Sequence, residues 1–281
     1  MKTLAFDAGG TFLKYGTPTE PNLLPLPYTK ELIFNLLKQD TRRIILTGAG
    51  SNTIARWIKD DYGKKKDNFD YEINIYNEFL ATGLGGAKLA GQKECIVVNI
   101  GSGTPILYVN ADQKKVDHVG GTGLGSASLV GLSHFILNID DLNKITDLAL
   151  KGDATKVNLL VSDLYNRSAE DLGLPGDITA SNFGKYQDWR TVKNNKPNSN
   201  DILAGIHVMV AETISSIASQ ASRSYRDDLP IVLTGGGTMN AALVKHLKHS
   251  FVYLKKDVII PEEAIYGTLN GLFEVDAIIK R

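Results

Sequence analysis

The sequence predicts an α/β chain of two lobes with a cleft between them. Short apolar strands alternate with helical spacing. A strand, small-residue turn, strand unit occurs at Leu4–Tyr15 and returns at Ile96–Val109. At 281 residues the chain has length for two lobes, each with its own core. The boundary falls near residue 92, giving lobes 1–92 and 93–281.

Leu4-Ala5-Phe6 is a short strand running into Asp7-Ala8-Gly9-Gly10-Thr11, after which Phe12-Leu13-Lys14-Tyr15 resumes as the second arm of a hairpin. A helix is expected over 29–39, a strand at Arg43–Leu46 ending in Thr47-Gly48, a helix over 52–62 and a strand at Ile73–Tyr76. After a further helix, the polar patch Gly91–Glu94 leads into Cys95–Ile100, which ends at Gly101-Ser102-Gly103-Thr104 before Ile106–Val109. Helical stripes follow over 126–138, 141–150, 156–166 and 201–225. Asn194–Asn200 is a polar loop, Ile231–Thr234 a strand closed by Gly235-Gly236-Gly237, and 263–278 a final helix.

Composition narrows the function. Lys and Arg (31) balance Asp and Glu (31), so no global basic field draws nucleic acid. The single cysteine, Cys95, forbids an internal disulfide and a multi-cysteine zinc site and suits a cytoplasmic chain. The N-terminal apolar run is too brief for a signal peptide or a membrane span.

Glycine turns at strand ends let backbone N–H groups approach a polyphosphate closely, since no Cβ intervenes. One such turn is usually a tight hairpin; three in this order carry more. The Walker and dinucleotide patterns are missing. Asp7-Ala8-Gly9-Gly10-Thr11, Asn99-Ile100-Gly101-Ser102-Gly103-Thr104 and Leu233-Thr234-Gly235-Gly236-Gly237 resemble the two phosphate motifs and the adenosine motif of the actin, hexokinase and Hsp70 superfold. That resemblance implies the actin-like ATPase (ribonuclease H-like) fold. It also implies two hairpins gripping the phosphates of ATP, Gly235–Gly237 opening a helix against the adenosine, and Asp7 holding Mg2+ through water. Lys14 either neutralises phosphate or is a solvated strand lysine.

At finer scale the chain resembles the type II pantothenate kinases over nearly its whole length. The matching stretches are the two hairpins, Val119-Gly120-Gly121-Thr122-Gly123-Leu124-Gly125 and Leu174–Gly184. The resemblance implies a kinase that phosphorylates pantothenate, with Glu78 as catalytic base. Gly121 and Gly125 join the nucleotide site, while His118, Gly176, Asp177, Thr179 and Ala180 contact the acceptor. A carboxylate in reach of an attacking hydroxyl can orient it and take its proton. The resemblance further implies a homodimer through a long helix and, in some members, feedback by CoA thioesters.

Two departures stand out. Asp117-His118-Val119 replaces the family's arginine, and an imidazole cannot copy a five-donor cation. Gly125-Ser126-Ala127 replaces a triple glycine. Pantetheine or another pantoyl amide is therefore an alternative acceptor, and a silent nucleotide or CoA-thioester sensor an alternative role. The remaining histidines, His134, His207, His246 and His249, have no ligand spacing. Trp57 and Trp189 are expected to pack, and Lys64–Lys66 to be solvated.

Overall fold

The computed structural model describes residues 2–37, 40–62, 71–165, 175–187 and 197–280. Lys64–Lys66, Leu174, Trp189 and the start of the 194–200 loop lie outside the described residues.

The first sheet contains β1 (Lys2–Ala8), β2 (Phe12–Thr17), β3 (Glu20–Pro25), β4 (Thr41–Thr47) and β5 (Glu72–Ile75), with α1 (Lys30–Leu36), α2 (Ser51–Tyr62) and α3 (Glu78–Leu89) between and after them. The second contains β6 (Glu94–Asn99), β7 (Thr104–Asn110), β8 (Lys115–Thr122), β11 (Ile231–Thr234) and β12 (Val258–Ile259). Their strand orders, β3-β2-β1-β4-β5 and β8-β7-β6-β11-β12, are the same order repeated. In each, the first three strands run antiparallel and the last two parallel to the first. The repeat seen in the hairpins thus extends over whole sheets.

The period-2 pattern explains the layering. In β1, Leu4, Phe6 and Ala8 face one core with α1 and α2, while Ala5 faces the other. In β6, Ile96, Val98 and the following Ile100 join the core under the second lobe's helices, whereas Cys95 and Val97 point the opposite way. Burial pushes the Cys95 thiol up to about 12, so it is an inert core residue.

The shared middle layer is α3 crossed by the last helix, α9 (Gly267–Ile279). Glycine permits the crossing. A Cβ on Gly271 would stand 1.7 Å from the Ala81 carbonyl oxygen, and one on Gly85 1.9 Å from that of Gly267. Near the other end, Arg43 of β4 reaches Asp276 of α9 at 2.9 and 2.5 Å, and Tyr76 Oη donates to the same oxygen at 2.7 Å. Burial alone would raise the Asp276 pKa, but donors on Arg43, Lys280 and Tyr76 hold it below the ordinary carboxylate range.

The other second-lobe elements are α4 (Ser126–Leu137), α5 (Leu142–Lys151), β9 (Leu159–Leu160), α6 (Val161–Leu164), β10 (Thr179–Ser181), α7 (Ser199–Tyr225) and α8 (Ala241–Tyr253). The helix expected over 156–166 is not formed. Its first half is a 3-10 turn followed by β9, which pairs with β10, and only the single turn α6 remains. Buried Asn158 accepts the Phe183 N–H at 2.9 Å and pins the chain to that ribbon. Strands β3, β8 and β12 extend the sheets beyond the expected set, and Trp57 packs edge-on against Tyr28.

Helix α7 alone among the described residues is long and apolar enough to cross a membrane, yet 67% of its apolar window is buried inside the fold. Leu203, Ile206, Val210 and Ile214 bind it to the second core. Within it, His207 Nδ1 donates to the Leu203 carbonyl at 2.7 Å, and its Nε2 accepts from Asn240 at 3.1 Å. Asn240 Oδ1 accepts the Leu243 N–H and caps α8, which fixes the amide orientation and the neutral tautomer.

Desolvation lowers the His207 pKa, and desolvation with neighbouring Lys245 lowers that of His246 to about 4. Both groups are neutral when folded but take up protons when unfolded below about pH 6.5. The unfolded state then binds more protons, so stability falls as pH drops from 6.5. Asp276, with its lowered pKa, adds a further loss below about pH 4 as the unfolded carboxylate protonates first. Melting followed between pH 7.5 and 5.5 is expected to decline, with a shallower slope in His246→Gln. Equal slopes in wild type and variant would refute this assignment.

Candidate active site

The two glycine hairpins are presented at the ends of β1 and β6, whose buried strands fix their direction. They meet across a cleft of about 580 Å3 lined by Asp7, Gly9, Gly10, Thr11, Lys14, Glu78, Gly101, Ser102, Gly103, Thr104, His118, Gly121 and Gly236 among others. Thr11 Oγ1 and Ser102 Oγ lie 3.1 Å apart, linking one hairpin tip to the other. A Cβ on Gly10 would come within 2.7 Å of Ser102 Oγ, so any side chain there would turn the Ser102 hydroxyl away from Thr11.

Asp7 and Lys14 face each other in the β1–β2 register, with Lys14 Nζ 2.7 Å from Asp7 Oδ2 and both side chains nearly buried. Lys14 is therefore not a solvated strand lysine: it lines the cleft, paired with Asp7. One carboxylate beside two glycine hairpins suits Mg2+, which keeps several waters and needs few protein ligands. Among the described residues no group of three or more His, Cys, Asp or Glu side chains could hold an ion by itself.

Glu78 opens α3. The helix cap is Asn77, whose Oδ1 accepts the Leu80 N–H at 2.9 Å, so Glu78 is released from a capping role. Thr47 Oγ1 donates to the Tyr76 carbonyl at 2.9 Å and anchors the approach to this turn. Although Glu78 as a residue keeps solvent contact, its carboxyl pKa is raised, first by burial and then by the Asp7 charge, with Lys14 opposing. A carboxylate with raised proton affinity in a cleft suits general base work.

The third glycine cluster is built differently from the expected helix start. Gly236–Met239 is a 3-10 turn, and the helix proper, α8, begins only after Asn240. Gly235 has φ 88° and a Cβ there would strike Asn99 Oδ1 and the Ile100 carbonyl; Gly237 packs on Ile100. Of the three, Gly236 borders the cleft. Gly125 also stands behind the cleft, where a Cβ would meet the carbonyls of Gly101 and Ser102 at 2.7 and 2.6 Å. Ser126, by contrast, has room for its side chain, lines the cleft, and donates its N–H to Gly101 at 2.8 Å. The altered triple glycine therefore keeps the one glycine that close packing requires.

His118 projects from β8 at the cleft rim, stacked on Phe79 with ring centroids 4.8 Å apart and planes 10° apart. The four other expected acceptor contacts are elsewhere. Asp177 and Thr179 line a second pocket of about 410 Å3 with Glu212 and His249; Gly176 packs near Ser162, and Ala180 is exposed on β10. None of the four borders the cleft of its own chain. Sequence reasoning missed Phe79, Asn99, Ser126 and Thr268 as lining residues. The first three sit in or beside the quoted motifs, whereas Thr268 arrives from α9, held by Thr82 at 2.8 Å.

The family model described as Fumble matches residues 92–254. The type II pantothenate kinase of Bacillus cereus (strain ATCC 10987) is 28% identical, with 97% of each chain covered. That of Bacillus cereus (strain AH820) is 30% identical over 78% of this chain and 77% of its own. Among solved structures, the activator of the 2-hydroxyisocaproyl-CoA dehydratase from Clostridium difficile, with bound ADPNP, superposes with a TM-score of 0.59 at 16% identity, covering 100% of this chain and 96% of that one. The duplicated sheets and this likeness establish the two-lobed actin-like ATPase fold. Together with the match over more than half of its length, they make this chain a member of the Fumble, or type II pantothenate kinase, family.

Proposed function

We propose that the chain is a pantothenate kinase, transferring the γ-phosphoryl group of ATP to the 4′-hydroxyl of pantothenate, the first step toward coenzyme A. The observation that carries this reading is the convergence of Glu78, Asp7, Lys14 and both glycine hairpins on one cleft.

The hairpin backbones at Gly9–Thr11 and Gly101–Thr104 cradle the phosphates, and Lys14 supplies positive charge beside Asp7. Asp7 would hold Mg2+, which neutralises charge on the phosphates when bound. Glu78 orients the acceptor hydroxyl and accepts its proton as that oxygen attacks phosphorus. Gly236 leaves the wall near Phe12 low enough for a base to lie against it. The protein acts in the cytoplasm on a small molecule, without nucleic acid or membrane partners, and pairs as a homodimer through α7. Gly176, Asp177, Thr179 and Ala180 stand outside the cleft of their own chain, so their contact with the acceptor requires that dimer to bring them to the partner's cleft. CoA thioesters act as feedback ligands.

The test is ADP release by the purified protein with Mg-ATP, with and without pantothenate. Stimulation by pantothenate is expected; release that ignores the acceptor, or its complete absence, counts against the kinase reading.

A further inference from the structure

His118 stands where the family resemblance implied contact with the acceptor, and its ring is stacked on another side chain. It lies nearly parallel to the ring of Phe79, 4.8 Å away, in the range favoured by aromatic pairs. Phe79 is the residue directly after Glu78, in the first turn of α3. His118 is rooted in β8 opposite Leu107 of β7, and its neighbour Asp117 is already paired with Lys115 at 2.9 Å. The stack therefore fastens the turn carrying the carboxylate to the sheet that carries the second phosphate hairpin. Lower on the same helix, Gly83 lets α3 settle against Val116 and Val109, so the stack continues a contact line between α3 and that sheet. The rest of the first turn is held by Ala81 against Gly271 of α9, and the chain leading into it by Thr47 and Tyr76, so the stack is the tie made by the residue next to Glu78 itself.

We propose that His118 is a positioning residue that acts through Phe79, its stacked ring holding Glu78 at a fixed place relative to the Ser102 hairpin. The role depends on a flat ring, not on a charge or an N–H. It rests on Glu78 serving as the base, and it assigns the substitution at position 118 a mechanical use in this chain. A base displaced by about an ångström loses up to about 10²-fold in rate, so the device acts on kcat.

The experiment compares wild type, His118→Ala, His118→Phe, Phe79→Ala and the His118→Ala/Phe79→Ala double variant, measuring kcat and the KM values for ATP and pantothenate. Each alanine variant is expected to lower kcat about 10- to 100-fold, with KM for ATP within about twofold of wild type. His118→Phe is expected to recover most of what His118→Ala loses, and the double variant to be no worse than the poorer single one, as for two halves of one contact. A His118→Phe protein as impaired as His118→Ala, or alanine losses that multiply in the double variant, overturns the proposal. Melting curves identify any variant that fails to fold; the cycle is then run with leucine at both positions, which keeps bulk and removes the stack. A wild type without pantothenate-dependent turnover refutes the function itself, a result separate from these.

Discussion

Glu78→Gln is expected to lower kcat by about 10²–10⁴-fold, the usual contribution of a general base, while the melting shift produced by Mg-ATP stays close to that of wild type. The amide keeps the shape and the hydrogen-bonding reach of the carboxylate but cannot take a proton. The pH profile adds an independent check. Burial and the charge on Asp7 raise the Glu78 pKa against the opposing pull of Lys14. The base works only when ionised, so the rate must fall as pH drops through a value above the ordinary glutamate range of about 4.3. That acidic limb is expected in wild-type kcat/KM, which reports the free enzyme, and missing from the residual activity of Glu78→Gln. A variant that turns over within about threefold of wild type would remove Glu78 from the chemistry, since even a weak general base contributes more.

Gly271→Ala is expected to be the most damaging single-methyl addition in the core. The new Cβ would stand 1.7 Å from the Ala81 carbonyl oxygen, a backbone atom that cannot rotate away. Helices α3 and α9 would have to separate, disturbing the buried Thr82–Thr268 contact and the core shared by both sheets. We expect a loss of about 3 kcal/mol, the upper end for over-packed cores, read as a melting drop of about 5–10 °C. Because α3 also carries Glu78, the folded fraction should show reduced kcat. By comparison, Gly131→Ala on α4, where a Cβ meets nothing within 4 Å, should leave melting unchanged or slightly raised through better helix propensity. Equal melting of the two variants would show that the crossing is looser than the structure indicates.

Local signals served well where the chemistry is local. Asp7 and Lys14 lie on adjacent arms of one hairpin with Gly9 and Gly10 in its turn, and their spacing alone brings them together. Gly101 to Thr104 repeat that logic in the second sheet. The 156–166 segment misled because buried Val157 and Val161, at helical spacing, flank an asparagine whose partner is twenty-five residues away. The expected helix at Gly235 misled for a similar reason: the cluster's tightest constraints come from Asn99 and Ile100 on another strand.

By itself the sequence determined the two-lobed α/β class, the duplicated strand and turn unit and the paired glycine hairpins, because each is written in contiguous residues with their own periodicity or turn chemistry; Glu78 was singled out only through the resemblance of its surroundings to a known family. Tertiary structure alone decided that Thr268 joins the cleft, that Gly176 to Ala180 stand outside it, and that His118 stacks on Phe79. Those outcomes depend on where separate helices and sheets settle, and packing between distant segments leaves no period or spacing in the chain to be read.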